Sequence, residues 1–150
     1  MKISRALLTI ASLTLLGAGL TGCASTINLQ AAPDANNPGC AAVVVRLSDT
    51  VGAQQKRLTN AQSTAAWGTP ANILLRCGIA PVTVSKLRCI TVSKVDWLVD
   101  GSKAPSYRFI TFGRTPATEV IMDSTKVSGS TVLDDISEAI NRGKVTAHCL

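Results

Sequence analysis

The residues able to do chemistry are few: one histidine and five cysteines in 150 residues. A serine triad would have to use His148 as its base, yet His148 stands beside Cys149 near the chain end, and no Gly-x-Ser-x-Gly elbow occurs to supply the nucleophile. No Ser-x-x-Lys pair is present. Gly143 and Lys144 are followed by Val145, without the hydroxyl residue and preceding glycine of a phosphate loop. No catalytic residue is therefore assigned. Asp96 and Asp100 flank Trp97, an arrangement that could hold a carboxylate in an apolar cleft with a raised pKa. Trp67, in AAWGTP, lies where Gly68 and Pro70 favour a fixed loop, so it either lines a ligand cleft or lids the sheet. Trp67, Trp97 and Asp96 form the candidate site for a small-ligand carrier or minor hydrolase. The plainer reading makes the tryptophans core and Asp96 an outward strand position.

The odd cysteine count separates into one and four. Lys2 and Arg5 precede an uncharged apolar stretch from Ala6 to Leu20, the length of a secretory signal and too short to span a bilayer. Leu20, Thr21, Gly22 and Cys23 resemble the lipobox of bacterial lipoproteins. That resemblance implies cleavage before Cys23 and acylation of its thiol. Two acyl chains make a stable membrane anchor where one is reversible. Residues 1–22 are then a lipoprotein signal peptide and 23–39, small and polar with Pro33 and Pro38, a flexible tether reaching roughly 20 to 25 Å.

Cys40, Cys77, Cys89 and Cys149 remain. Outside the cytoplasm four cysteines read as two disulfides with three possible connectivities. Spacing favours Cys77 with Cys89, closing a short loop, and Cys40 with Cys149, tying the start of the domain to its end. Zinc is the alternative, but no Cys-x-x-Cys occurs and His148 is the only histidine. No metal and no cofactor are expected.

Composition limits the rest. With 46% hydrophobic and 16% charged residues the chain is neither disordered nor a multidomain enzyme, and 40–150 are expected to form one extracytoplasmic domain. Fifteen basic residues, less Lys2 and Arg5, face nine acidic ones, leaving the mature chain at +4. Its cations (Arg46, Lys56, Arg57, Arg76, Lys86, Arg88) are scattered and export intervenes, so no nucleic-acid partner is expected.

The positioning elements follow from periodicity. Asn37 and Pro38 look like a helix start, with Cys40, Val43, Val44, Leu47 and Val51 at helical spacing and Gly52 as the stop. Three consecutive valines leave a strand as the alternative there. Residues 53–70 read as irregular, and ANILLR as a strand entering Cys77. Cys89–Val92 and Val95–Val99 are spaced as a hairpin about Ser93 and Lys94, although one long bulged strand would fit as well. YRFITF and TEVIMD form a second hairpin around Gly113, Arg114, Thr115 and Pro116. A last helix has Thr131 and Asp134 as a capping box, an apolar face of Val132, Leu133, Ile136 and Ile140, and Gly143 as its stop. Asp134, Asp135 and Glu138 near its amino end suit the helix dipole. The expected fold class is α+β: an antiparallel sheet of four or five strands with an N-terminal and a C-terminal helix packed on one face.

The LTGC signal, NNPGCAAVVVRL, AAWGTPANILLRCG, CITVSKVDW and YRFITFGRTPATEVIMDS resemble an actinobacterial lipoprotein family known as domain of unknown function 3515. The similarity covers essentially all of the mature domain. It implies an envelope lipoprotein and supplies no reaction, cofactor or ligand. The Ser93–Lys94 turn departs from the Asn-Gly type of pair expected in the family. The expectation is a non-catalytic binding or structural module on the outer face of the cytoplasmic membrane, with the membrane, an envelope protein or a cell-wall component as partner.

Overall fold

A computed structural model describes residues 25–150; the signal peptide and Cys23 lie outside the described residues. In chain order the elements are α1 (Pro38–Val44), β1 (Thr50–Val51), β2 (Gln54–Arg57), β3 (Thr64–Trp67), β4 (Ile73–Ile79), β5 (Arg88–Val92), β6 (Val95–Lys103), β7 (Ser106–Thr111), β8 (Arg114–Thr115), β9 (Ala117–Asp123), α2 (Gly129–Ile140) and β10 (Lys144–Val145). Eight strands form one sheet in the order β1-β2-β3-β4-β9-β7-β6-β5, every pair antiparallel, and β8 pairs separately with β10.

The fold is α+β, but with twice the strands expected. Gln54–Arg57 and Thr64–Trp67 fall in the segment read as irregular. Gln54–Arg57 is a polar strand near the sheet edge. Thr64–Trp67 is buried at all four positions, so neither shows the alternation that marks a strand with one wet face.

Helix placement differs too. α1 stops at Val44 instead of running to Val51, because Val43 and Val44 are followed by a turn and Thr50–Val51 joins the sheet. α2 does not lie on a flat sheet: it touches β1 and β5, the two outermost strands. Strand twist accumulates across eight strands and curls the sheet around this helix. The Gly52 amide donates to Asp135 Oδ2 at 2.8 Å, the Ser93 hydroxyl donates to Asp134, and the Ser137 hydroxyl donates to the Val92 carbonyl at 3.2 Å. Ser128, not Thr131, is the N-cap residue of α2.

Alternation along the long strands divides the sheet. Ile73, Leu75, Cys77, Trp97, Phe109, Val120 and Met122 point inward to one core with Cys40 and Val43 of α1 and Val132, Leu133, Ile136 and Ile140 of α2. The expected hairpin at Ser93–Lys94 forms, with both residues at positive φ (46° and 67°), the requirement of a two-residue type I′ turn. Neither residue is a glycine. Their strain is offset by the Ser93 bond to α2 and by Arg114 Nη2, which donates to the Lys94 carbonyl at 3.0 Å.

The disulfides are Cys40–Cys77 and Cys89–Cys149, with Cα atoms 5.4 and 5.7 Å apart, correcting the expected pairing. Cys77 on β4 points inward and Cys89 on β5 pairs in register with outward Leu98, while three strands lie between β4 and β5. At about 4.8 Å per strand the two cysteines are far outside the roughly 7 Å Cα limit for a bridge.

The segment expected to be a free tether is bound instead. The Ile27 amide donates to the Leu58 carbonyl at 2.8 Å, the Leu29 amide to Asn60 Oδ1 at 2.8 Å, and the Asp34 amide to the Gly78 carbonyl at 3.0 Å, with Ala32 and Ala35 buried. A matching strap runs at the other terminus, where the Thr146 amide donates to the Gly113 carbonyl at 2.7 Å.

Candidate functional site

Outward residues of the central strands meet through register. Arg76 on β4 is opposite Glu119 on β9, Ile110 on β7 is also opposite Glu119, Arg108 is opposite Ile121, and Asp100 on β6 is opposite Arg108. Glu119 is almost fully buried at 3% side-chain exposure, and each of its oxygens takes one guanidinium: Oε2 from Arg76 Nε at 2.8 Å and Oε1 from Arg108 Nε at 2.7 Å. Burial alone would raise the Glu119 carboxyl, but the bonds from Arg108 and Arg76 outweigh it and hold the group below its ordinary range. Both arginines are engaged through Nε. Among the described residues their terminal amino groups have no hydrogen-bond partner, and the two side chains are 37% and 39% exposed.

Arg76 borders a cleft of about 450 Å³ walled by Asn28, Leu29 and Gln30 of the N-terminal strap and by Leu74 and Ile121 of the sheet. A second cleft of about 260 Å³, lined by Asp100, Lys103 and Arg108, adjoins it through shared Glu119 and Ile121. A buried carboxylate fixing two guanidiniums with free ends is suited to receive a planar or tetrahedral anion, and the leucines and isoleucine suit an apolar body attached to it.

The residues expected to share a ligand cleft do not. Trp67 and Trp97 are fully buried in the inner core, and Trp67 Nε1 donates to the Ser48 carbonyl at 3.0 Å. Asp96 follows and precedes inward residues, so it faces the opposite side of the sheet from Trp97. The clefts described above are lined by other residues. Period-two alternation thus separates neighbours in sequence onto opposite faces and dissolves the proposed Trp67–Trp97–Asp96 cleft. The missed residues were Arg76, Arg108 and Glu119. Each is a charged residue inside an otherwise apolar strand (ILLRCG, YRFITF, TEVIMD), a visible anomaly whose partners depend on register.

Asp96 and His148 do meet. Asp96 accepts from Thr91 Oγ1 at 2.5 Å, from His148 Nδ1 at 2.9 Å and from the Cys149 amide at 3.2 Å. Among the described residues no hydroxyl or thiol hydrogen-bonds the His148 ring, which is 74% exposed, so the pair lacks the nucleophile of a triad. Its geometry is that of a clamp holding the C-terminal strap beside Cys89–Cys149. Burial would raise the Asp96 carboxyl, but the Thr91, His148 and Cys149 bonds prevail and lower it. A carboxyl whose folded pKa is depressed stabilises the fold above its unfolded value, near 4, and loses that contribution as pH falls through the folded value. Asp96→Asn is therefore expected to give a shallower decline in urea midpoint from about pH 5 down to 2 than the parent. Parallel declines would show that Asp96 does not couple strap docking to acid stability.

Fold and site together define a small disulfide-bonded α+β domain, its curled antiparallel sheet filled by one helix and its outer face bordered by two terminal straps. The chain belongs to a family described as protein of unknown function (DUF3515), whose model matches residues 7–148. Neither the curated proteins nor the solved structures contain a match.

Proposed function

We propose that this chain is an exported envelope lipoprotein, held by acylated Cys23 at the outer face of the cytoplasmic membrane, that binds a partner instead of catalysing a reaction. The observation that carries the binding reading is the Arg76–Glu119–Arg108 arrangement, whose terminal amino groups have no partner among the described residues, Arg76 at the apolar-walled cleft and Arg108 at the smaller one that adjoins it. The partner is an envelope protein or cell-wall component presenting a carboxylate or phosphate next to apolar surface. LTGC supports the anchor, and two disulfides suit an oxidising compartment. No helix among the described residues is long and apolar enough to cross a membrane.

The bound strap adds geometry to this reading. With Ile27 already paired to the sheet, the four steps from Cys23 span at most about 14 Å, holding the cleft closer to the lipid than a free tether would. The test combines fractionation with crosslinking. Cys23→Ala is expected to release the chain from membranes, and retention would sink the anchor. Arg76→Gln with Arg108→Gln and Glu119→Gln, which removes the guanidiniums without leaving a buried carboxylate unpaired, is expected to remove a reproducible crosslinked partner while the chain stays folded and membrane-bound. Recovery of the same partner at parental yield would sink the outer-face site.

A further inference from the structure

A second cationic site lies away from the outer-face cleft, where α1, α2 and the β8–β10 pair converge. It is a notch of about 250 Å³ whose walls carry Arg46, Arg114, Arg142 and Lys144, with Val43 and Ile140 among its apolar lining and no acidic side chain. Arg46, Arg142 and Lys144 are exposed, whereas Arg114 is 3% exposed and forms the back of the notch.

Arg114 is partly explained by structure. Its Nη1 donates to the Ile140 carbonyl at 3.3 Å, and its Nη2 to Asn141 Oδ1 and the Lys94 carbonyl, both at 3.0 Å, so it closes the C-terminal end of α2. All three acceptors are neutral. Its buried Nε has no partner among the described residues, and no carboxylate forms an ion pair with it there. Asp96 acts on it only through space and is itself committed to Thr91, His148 and the Cys149 amide. A buried guanidinium without a contacting counter-ion, with three more cations at the mouth, leaves a concentrated positive field in a low-dielectric notch.

We infer that this notch binds a phosphate group, with Arg46, Arg142 and Lys144 supplying the accessible donors and Arg114 the fixed charge behind them. Phosphate fits better than a carboxylate because four cations face no internal acid. Free phosphate carries between one and two negative charges near neutral pH and a lipid phosphodiester carries one, and each spreads its charge over tetrahedrally placed acceptor oxygens that several donors can share. The group arrives either as free phosphate or as a membrane lipid headgroup. The notch uses none of the residues of the outer-face site, so either can fail without the other.

The full chain in phosphatidylcholine nanodiscs, titrated with inorganic phosphate against chloride at equal ionic strength, tests this through the amide resonances of Arg46, Arg142 and Lys144. A saturable shift is expected with phosphate and none with chloride. The triple variant Arg46→Ser, Arg142→Ser, Lys144→Ser is expected to bind about tenfold more weakly or worse, while Lys86→Ala, which removes an exposed cation outside both sites, binds as the parent. Should the triple variant unfold, Arg142→Gln and Lys144→Gln singly carry the same comparison. Shifts already present in phosphatidylglycerol discs and absent in phosphatidylcholine discs without phosphate would assign the headgroup; shifts only on adding phosphate would assign the free ion. Equal shifts with chloride, unchanged binding by the triple variant, or no saturable shift in either disc would overturn the site.

Discussion

Replacing Cys40 and Cys77 together by serine is expected to cost about 4 kcal/mol and to lower the melting temperature by about 15 °C. The first figure is the chain-entropy value for the 37-residue separation this bridge closes, and the second its conversion for a domain of this size. The position of the bridge makes the loss hard to absorb. Cys40 and Cys77 are both fully buried, and they join the short α1, about two turns long, to the strand that carries Arg76. A seven-residue helix has little stability alone, so its order depends on being fastened. The pairing itself is checked by the single variant Cys40→Ser. The freed thiol should map to Cys77 by alkylation and peptide mass; a freed thiol at Cys149 would overturn the connectivity. A melting temperature within a few degrees of the parent in the double variant would show that packing, and not the bridge, holds α1.

Gly78→Ala is expected to detach the N-terminal strap and with it one wall of the outer-face cleft. Gly78 has φ +98°, and a Cβ placed there would lie 2.4 Å from the carbonyl carbon and oxygen of Asp34. The obstacle is backbone, so no side-chain rotation relieves it. An alanine in this region of φ costs about 1 to 2 kcal/mol before any clash is counted. The cheapest relief is for residues around Asp34 to lift away, giving up the Asp34–Gly78 hydrogen bond and exposing Ala32 and Ala35. Hydrogen exchange should then show residues 25–36 losing protection while β7 and β9 keep theirs, and partner crosslinking through Arg76 and Arg108 should fall. Intact protection of the strap would mean that β4 shifts instead and that the glycine is not what admits the strap. Gly113, with φ +64° and Ala147 against it, makes the same provision for the C-terminal strap.

How legible this fold was depends on which residues are asked. The long strands were visible as runs rich in aliphatic, β-branched and aromatic residues, such as Ile73–Cys77 and Val95–Val99, although Leu74 and Leu98 interrupt a strict alternation of apolar and polar residues. The C-terminal helix was visible in Val132, Leu133, Ile136 and Ile140, although its start was misread at Thr131 because a Thr and an acidic residue three apart also occur inside a helix. Gln54–Arg57 and Thr64–Trp67 were not legible, since one is a polar strand close to the sheet edge and the other is covered on both sides. The outer-face site was half legible. Arg76, Arg108 and Glu119 are each anomalous in their strands, but nothing local says that 76, 108 and 119 converge.

By itself the sequence determined the α+β class, membership of a family of unknown function, the two hairpins, the terminal helix and the set of four cysteines available for pairing. These are short-range properties, carried by periodicity, turn chemistry and residue type. The tertiary structure alone decided which cysteines pair, that α2 fills a curled sheet, that residues 25–37 are strapped to the domain, and that Asp96 turns from Trp97 toward His148. Each of those depends on strand order and register. A one-residue slip reverses every side chain's face, and the insertion of β9 and β7 between β4 and β6 sets which distant residues become neighbours.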